Sequence, residues 1–180
     1  MTALLRLFAT WLLVMAAAAA ALTAADRLPA LLLGAAHGAR VYDSVDDAER
    51  RVGARLWLPS YYPDTLAWPP AQIQAIPGPP AVVALHVSGR DGTTDELVVC
   101  QSIDGLASPP PSILAPGEVI TSVTIPLHGR TARLDRLLTP EGRMVHDLAW
   151  DLDDRRVTVR YAGPVEQLLL MANSLAGPPR

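Results

Sequence analysis

Met144-Val145-His146-Asp147-Leu148-Ala149-Trp150-Asp151-Leu152-Asp153-Asp154-Arg155-Arg156-Val157-Thr158-Val159-Arg160-Tyr161 reads as a β-hairpin. Met144, His146, Leu148 and Trp150 alternate with Val145, Asp147, Ala149 and Asp151, which is the period-2 pattern of a strand with one buried face. Asp153-Asp154 supplies the turn, and Val157, Val159 and Tyr161 form the apolar side of the returning strand. Beyond it, Gly163-Pro164 opens a helix, because proline suits the first helical turn. Val165, Leu168, Leu169, Ala172 and Leu175 then draw an apolar stripe, and Gly177-Pro178-Pro179 is expected to stop the helix.

The same alternation continues upstream. Thr131–Leu138 is a strand that follows a turn at Gly129. Glu118–Ile125 is another, with Val119, Thr121, Val123 and Ile125 expected on one side. Val83, Leu85 and Val87 alternate with Ala84, His86 and Ser88, and Leu97–Ser102 returns after the Gly89–Thr94 loop. Ser108-Pro109-Pro110-Pro111 is a short, stiff connector. Before the strands, Ser44 caps a helix whose face is Val45, Ala48 and Val52, with Asp47 in the capping-box position and Gly53 as the stop. Asp46–Arg50 and Asp47–Arg51 are expected as ion pairs on its solvent side. No βαβ alternation occurs, so the fold class is α+β: an antiparallel meandering sheet of about six or seven strands, with an N-terminal and a C-terminal helix packed on it.

Arg6 is followed by nineteen uncharged residues, Leu7–Ala25. A charged start, an apolar stretch and small residues before Asp26 describe a secretory signal peptide. The same stretch as a helix rises about 28 Å, nearly a bilayer core, so an uncleaved anchor also fits. Residues 1–25 are therefore assigned as signal peptide or membrane anchor. Residues 26–43 become a stem or linker with a short apolar patch at Leu28–Ala36, residues 44–176 a single extracytoplasmic domain, and residues 177–180 a tail. The expected location is periplasmic or extracellular, either secreted or held at the inner membrane by one N-terminal helix. The membrane is then a partner through the N-terminal segment if that segment stays uncleaved.

Leu56-Trp57-Leu58-Pro59-Ser60-Tyr61-Tyr62-Pro63-Asp64 contains two prolines four residues apart, which forbid a helix and favour an extended path. Trp57, Tyr61, Tyr62 and Trp68 place four of the chain's nine aromatic residues in this region. They form either an interaction surface, as an aromatic groove for a ligand, or an extended segment pinned across a sheet by large side chains, and the pinned segment is the preferred reading. The run Leu58–Asp64, the span Leu148–Tyr161 and the terminal Met171-Ala172-Asn173-Ser174-Leu175 together resemble a poorly characterised bacterial domain. That family lies outside the membrane, often behind one transmembrane helix, and in some proteins beside anti-sigma-factor modules. The resemblance spans about Ser44 to Ala176, although Thr65-Leu66 stand where the family pattern has Gly-Tyr. It implies the extracytoplasmic location and the α+β fold, and it brings no catalytic residues with it.

The formal net charge is −3, and all fifteen basic residues are arginines. No basic field for nucleic acid is present, and Schiff-base or P-loop chemistry, which needs lysine, is excluded. Cys100 is the single cysteine. An intramolecular disulfide is therefore excluded, and a buried inert thiol in a strand is expected. His37, His86, His128 and His146 show no metal-ligand spacing; His86 and His146 lie on strands where the two could meet. The Asp147, Asp151, Asp153 and Asp154 cluster fails the calcium-loop pattern. No Gly-x-Ser-x-Gly elbow and no glycine-rich phosphate loop occurs. The expectation is accordingly no catalytic, metal or cofactor site. The leading function is a non-enzymatic exported or membrane-anchored domain that binds a protein or another envelope component, as an accessory or sensing module. The alternatives are a carrier of an apolar ligand such as a lipid, and a hydrolase built from clustered Ser, His and acidic residues.

Overall fold

Apolar–polar alternation from residue 72 onward builds one antiparallel sheet in the computed structural model, which describes residues 38–92 and 95–176. The chain divides into Met1–Gly38 and Ala39–Arg180, and the description concerns the second unit. The signal-or-anchor segment, the Leu28–Ala36 patch, His37 and the 177–180 tail lie outside the described residues. Among the described residues no helix is long and apolar enough to cross a membrane.

The elements in chain order are β1 (Arg40–Tyr42), α1 (Val45–Val52), β2 (Leu58–Pro59), β3 (Gln72–Ile76), β4 (Ala81–Ser88), β5 (Asp95–Ile103), β6 (Glu118–Leu127), β7 (Arg130–Leu138), β8 (Met144–Leu152), β9 (Arg155–Tyr161), α2 (Val165–Ser174) and β10 (Leu175–Ala176). Eight strands form the main sheet in the order β1-β3-β4-β5-β9-β8-β7-β6, and β10 pairs with β2 separately. The α+β class holds, with eight strands in place of the expected six or seven. The sheet begins at Arg40, within the stretch that the sequence reading assigned to a stem. Short β1 escapes a periodicity search because three residues are too few to show a period.

The meander breaks once. β3, β4 and β5 follow one another, whereas β6 starts at the far edge and β7, β8 and β9 walk back until β9 pairs with β5. Residues 104–117 make that jump across one face of the sheet, and the Pro109-Pro110-Pro111 run is part of the crossing. The two helices lie on the opposite, front face. Val83, Leu85, Val87, Leu97, Val99, Val157, Val159 and Leu148 meet Ala48 of α1 and Leu168, Met171 and Ala172 of α2 in one buried cluster. On the back face Val82, Ala84, Val98 and Cys100 are covered by Ile113 and Leu114 of the crossing.

α1 starts where its cap dictates. The Ser44 Oγ accepts from the Asp47 N–H at 3.2 Å and donates to the Asp47 carboxylate at 2.8 Å. Gly53 ends the helix at φ 74°, a left-handed conformation that glycine adopts without strain. Arg50 pairs with Asp47 in place of the expected Asp46. Glu49 turns forward to accept from the Leu56 N–H at 2.8 Å and from Arg55 at 2.9 Å, which fixes the exit of the chain from the helix.

α2 begins after Pro164, as expected, but it stops at Ser174, before the expected Gly177-Pro178-Pro179. The reason is tertiary. Leu175 and Ala176 turn extended to pair with Pro59 and Leu58, so strand pairing ends the helix before the prolines are reached. Gly163 at its start is a packing glycine, because a Cβ there would stand 2.4 Å from the Tyr161 ring. Gly163→Ala is expected to lower stability by roughly 1–3 kcal/mol through overpacking, read as a lower urea midpoint at unchanged m-value.

Candidate functional site

The aromatic segment is drawn across the front of the sheet by hydrogen bonds. Gln101 on β5 is 1% exposed. Its amide accepts from the Trp57 N–H at 2.9 Å and donates to the Trp57 carbonyl at 2.7 Å, so one side chain pairs with Trp57 as a strand would. Arg155 donates to Gln101 at 3.1 Å and to the Arg55 carbonyl at 2.8 Å, and its guanidinium lies 4.7 Å from the Trp57 ring centroid. Downstream, the Tyr61 N–H donates to Ser174 Oγ at 3.1 Å at the end of α2. The Ala67 N–H donates to the Ser88 carbonyl at 2.9 Å and the Ala71 N–H to the His86 carbonyl at 2.8 Å, which lays the segment along the margin of β4.

This path divides the four aromatic side chains. Trp57 and Tyr62 pack against the front-face core, while Tyr61 and Trp68 are exposed at 38% and 47%. Tyr62 and Trp68 touch with ring centroids 4.7 Å apart and planes tilted by 35°. Burial pushes the Tyr62 phenol well above its ordinary value. The four are neighbours along one strap, with two side chains turned inward and two half-exposed.

The back face carries a feature that the sequence reading passed over. Counting outward from the Asp153-Asp154 turn, Asp151 faces Arg156 and Asp147 faces Arg160 across β8 and β9. Both pairs are bidentate: Arg156 to Asp151 at 2.7 and 3.0 Å, and Arg160 to Asp147 at 2.7 Å twice. The bond from Arg156 holds the Asp151 carboxyl below its ordinary range. Each arginine also reaches the crossing segment, Arg160 to the Ala115 carbonyl at 2.6 Å and Arg156 to Ser108 Oγ at 3.3 Å. The two ladders therefore clamp the proline-rich crossing to the sheet. Between the crossing and strands β7, β8 and β9 lies a cleft of about 550 Å³ whose floor also includes Arg133 and Asp135, paired at 2.9 Å. Ser122 donates to that same Asp135 at 2.5 Å. These charged groups neutralise one another, and the cleft floor is a closed set of ion pairs.

Cys100 lies beneath this layer, 1% exposed. Burial, then the nearby Asp147 carboxylate, pushes its thiol up to about 12, with Arg160 opposing. At neutral pH it stays protonated and unreactive.

The described histidines do not converge. His86 pairs with Gln72 and Val98 on the back face, and His146 pairs with Arg136 and Tyr161 on the front face, with β5 and β9 between their strands. The expectation that these two could meet is therefore overturned. Side chains alternate faces along a strand, and the register sets these two on opposite ones. His128 occupies the β6–β7 turn at φ 51° and its Nε2 lies 3.1 Å from the Ala172 carbonyl. Among the described residues no group of three His, Cys, Asp or Glu side chains is placed to hold a metal ion.

The remaining surface of note is β6. It is the last strand of the sheet, so its outer edge faces no other strand among the described residues. Val119, Ile120 and Val123 are 54%, 48% and 52% exposed. Glu118 is the one charged residue in its ten, Glu-Val-Ile-Thr-Ser-Val-Thr-Ile-Pro-Leu. Sheet edges are ordinarily blunted by lysine, proline, bulges, shortness or a covering loop; β1 at the opposite margin is three residues long, whereas β6 carries Pro126 near one end and an irregularity near the other, with Thr121–Ile125 between them. The sequence reading expected Val119, Thr121, Val123 and Ile125 on one side. The structure places an irregularity at Ile120, between the Val119–Leu137 and Thr121–Arg136 pairs. One extra residue moves Val119 to the back face, where it lines the cleft, away from Thr121, Val123 and Ile125.

Compared with models of protein families, with curated proteins and with solved structures, the chain finds no match.

Proposed function

We propose that the chain is an exported or membrane-anchored, non-enzymatic domain that binds a protein of the cell envelope, in an accessory or sensing role, through the β6 edge. The observation that carries this reading is the ten-residue margin of an eight-stranded sheet, which pairs with no further strand among the described residues and has Val119, Ile120 and Val123 about half exposed on it. Unpaired backbone N–H and C=O groups along such an edge accept a further strand, and flanking side chains give selectivity. The N-terminal pattern of Arg6 followed by Leu7–Ala25 supports an extracytoplasmic setting. The likeness to the extracytoplasmic bacterial domain agrees with this setting. The mutual pairing of the cleft's arginines and aspartates favours recognition over chemistry, because a paired ion is poorly placed to transfer protons. The space under α2 is filled by Leu168, Met171 and Ala172, each at 0% exposure, so it offers no room there to an apolar ligand.

A photo-crosslinking amino acid at position 123 of the full chain in cells tests the reading, with Arg51 on the solvent side of α1 as the reference position. A discrete adduct from position 123 and none from position 51 is expected. No adduct from position 123 overturns the reading.

A further inference from the structure

We propose that the occupant of the β6 edge is β6 of a second copy of the chain, paired antiparallel about a two-fold axis through Val123. The inference rests on the binding reading above and names its partner.

The turn that joins β6 to β7 fixes which backbone groups point outward. His128 and Gly129 both have positive φ, 51° and 72°, and Leu127 pairs with Arg130. This is a two-residue hairpin turn of the primed kind. In such a hairpin the residues beside the turn exchange both hydrogen bonds, and the pattern then alternates along the ladder. Leu127, Ile125 and Val123 therefore bond to β7, whereas Pro126, Thr124 and Ser122 direct their backbone groups away from it. Pro126, which lacks an N–H, sits at a position where no ladder bond to β7 is lost.

A second β6 laid antiparallel about Val123 meets these groups in register. Ser122 faces Thr124 of the other copy on each side of the axis, and both are residues whose N–H and C=O point outward. Val123 faces its own counterpart, and Thr121 faces Ile125, on the front face. Burial of the half-exposed Val123 against itself supplies the apolar centre. Glu118, the single acid of the strand, falls opposite the His128–Arg130 turn of the other copy, where Arg130 already pairs with Asp153 at 2.9 Å, and the two-fold repeats that placement of an acid beside the Arg130–Asp153 pair at both ends. The ladder lapses where Ile120, at the irregularity, faces Pro126 of the other copy, which has no N–H to offer, and both fall outside the central Thr121–Ile125 run. The assembly joins two eight-stranded sheets into one of about sixteen strands and leaves the two short β1 margins as the outer edges, which is the closed symmetric arrangement typical of homodimers.

The test uses the full chain in detergent micelles. Val123→Cys is expected to form a disulfide-linked dimer on mild oxidation, because facing residues at a non-hydrogen-bonded antiparallel site have Cα atoms about 4.5 Å apart, within disulfide reach. Thr121→Cys, displaced two residues from the axis, is expected to form none. Cys100, with its thiol held at about 12, does not compete. In sedimentation the unmodified chain is expected as a dimer, and Val123→Lys, which opposes two cations at the axis, as a monomer. A monomeric chain in which Val123→Cys stays unlinked overturns the self-pairing, as does equal linking of Thr121→Cys. In the same experiment series an adduct from position 123 to a different protein removes the second copy while keeping the binding edge. Absence of any adduct removes both.

Discussion

Gln101→Leu is expected to lower the stability of the domain by about 2–4 kcal/mol, although leucine is apolar, similar in size and enters an apolar neighbourhood. Gln101 sits on the front face of β5 among Val99, Ile103 and Val157, and it is 1% exposed. Its amide is matched on both sides by the Trp57 N–H and carbonyl, at 2.9 and 2.7 Å. Removal of the side chain leaves those two backbone groups without partners against a dry sheet face, at roughly 1–3 kcal/mol each. It also removes one acceptor of Arg155, whose guanidinium stacks on Trp57. Urea unfolding followed by tryptophan fluorescence measures the loss, expected as a lower midpoint at unchanged m-value. Gln101→Ala adds a cavity and is expected to lose more. Arg155→Ala, which keeps the amide pairing, is expected to lose less than Gln101→Leu. A loss below about 0.5 kcal/mol for Gln101→Leu would mean that water replaces the amide and that the strap is held elsewhere.

The contrast between Gln101 and Trp57 shows where a sequence can be read and where it cannot. The β8–β9 hairpin was legible because alternation, turn and return lie within eighteen adjacent residues, and local periodicity needs no knowledge of the rest of the chain. The α1 cap at Ser44 and its stop at Gly53 were legible for the same reason. Gln101 meets Trp57 across forty-four residues, and nothing near either one marks the partnership. The early end of α2 and the pairing of β10 with β2 depend on contacts just as remote. The Arg–Asp ladders occupy an intermediate place. Register counted from Asp153-Asp154 assigns Asp151 to Arg156 and Asp147 to Arg160, so testing the four acids only against a calcium loop overlooked information that the hairpin already carried. The β6 edge needed topology. Alternation shows that residues 118–127 form a strand, but only the jump of the chain across the back face makes that strand the last one. The bulge at Ile120 is invisible to a period-2 reading, which is why Val119 was assigned to the wrong face.

Asp147→Ala is expected to cost about 3–5 kcal/mol, because it leaves Arg160 charged and largely buried without its carboxylate. The two side chains are 12% and 13% exposed and share two bonds of 2.7 Å. Attraction within such a pair roughly offsets the penalty of removing both ions from water, so the loss falls on whichever partner remains alone. The double replacement Asp147→Leu with Arg160→Met is therefore expected to recover most of the stability lost in Asp147→Ala. What it cannot recover is the bond from Arg160 to the Ala115 carbonyl, which ties the crossing to the sheet. The double variant should thus fold nearly as stably as the parent while proteolysis within residues 104–117 becomes faster, since cleavage there follows the population of the opened crossing. A double-mutant cycle with parallel limited proteolysis separates the two effects. A cycle with coupling below about 0.5 kcal/mol would show that the pair is solvated and that apolar contact of Ile113 and Leu114 with Val82, Ala84 and Cys100 alone holds the crossing. Strong coupling with unchanged proteolysis would divide the labour differently: the ion pair would stabilise the hairpin, and the apolar contacts would fix the segment that walls the cleft.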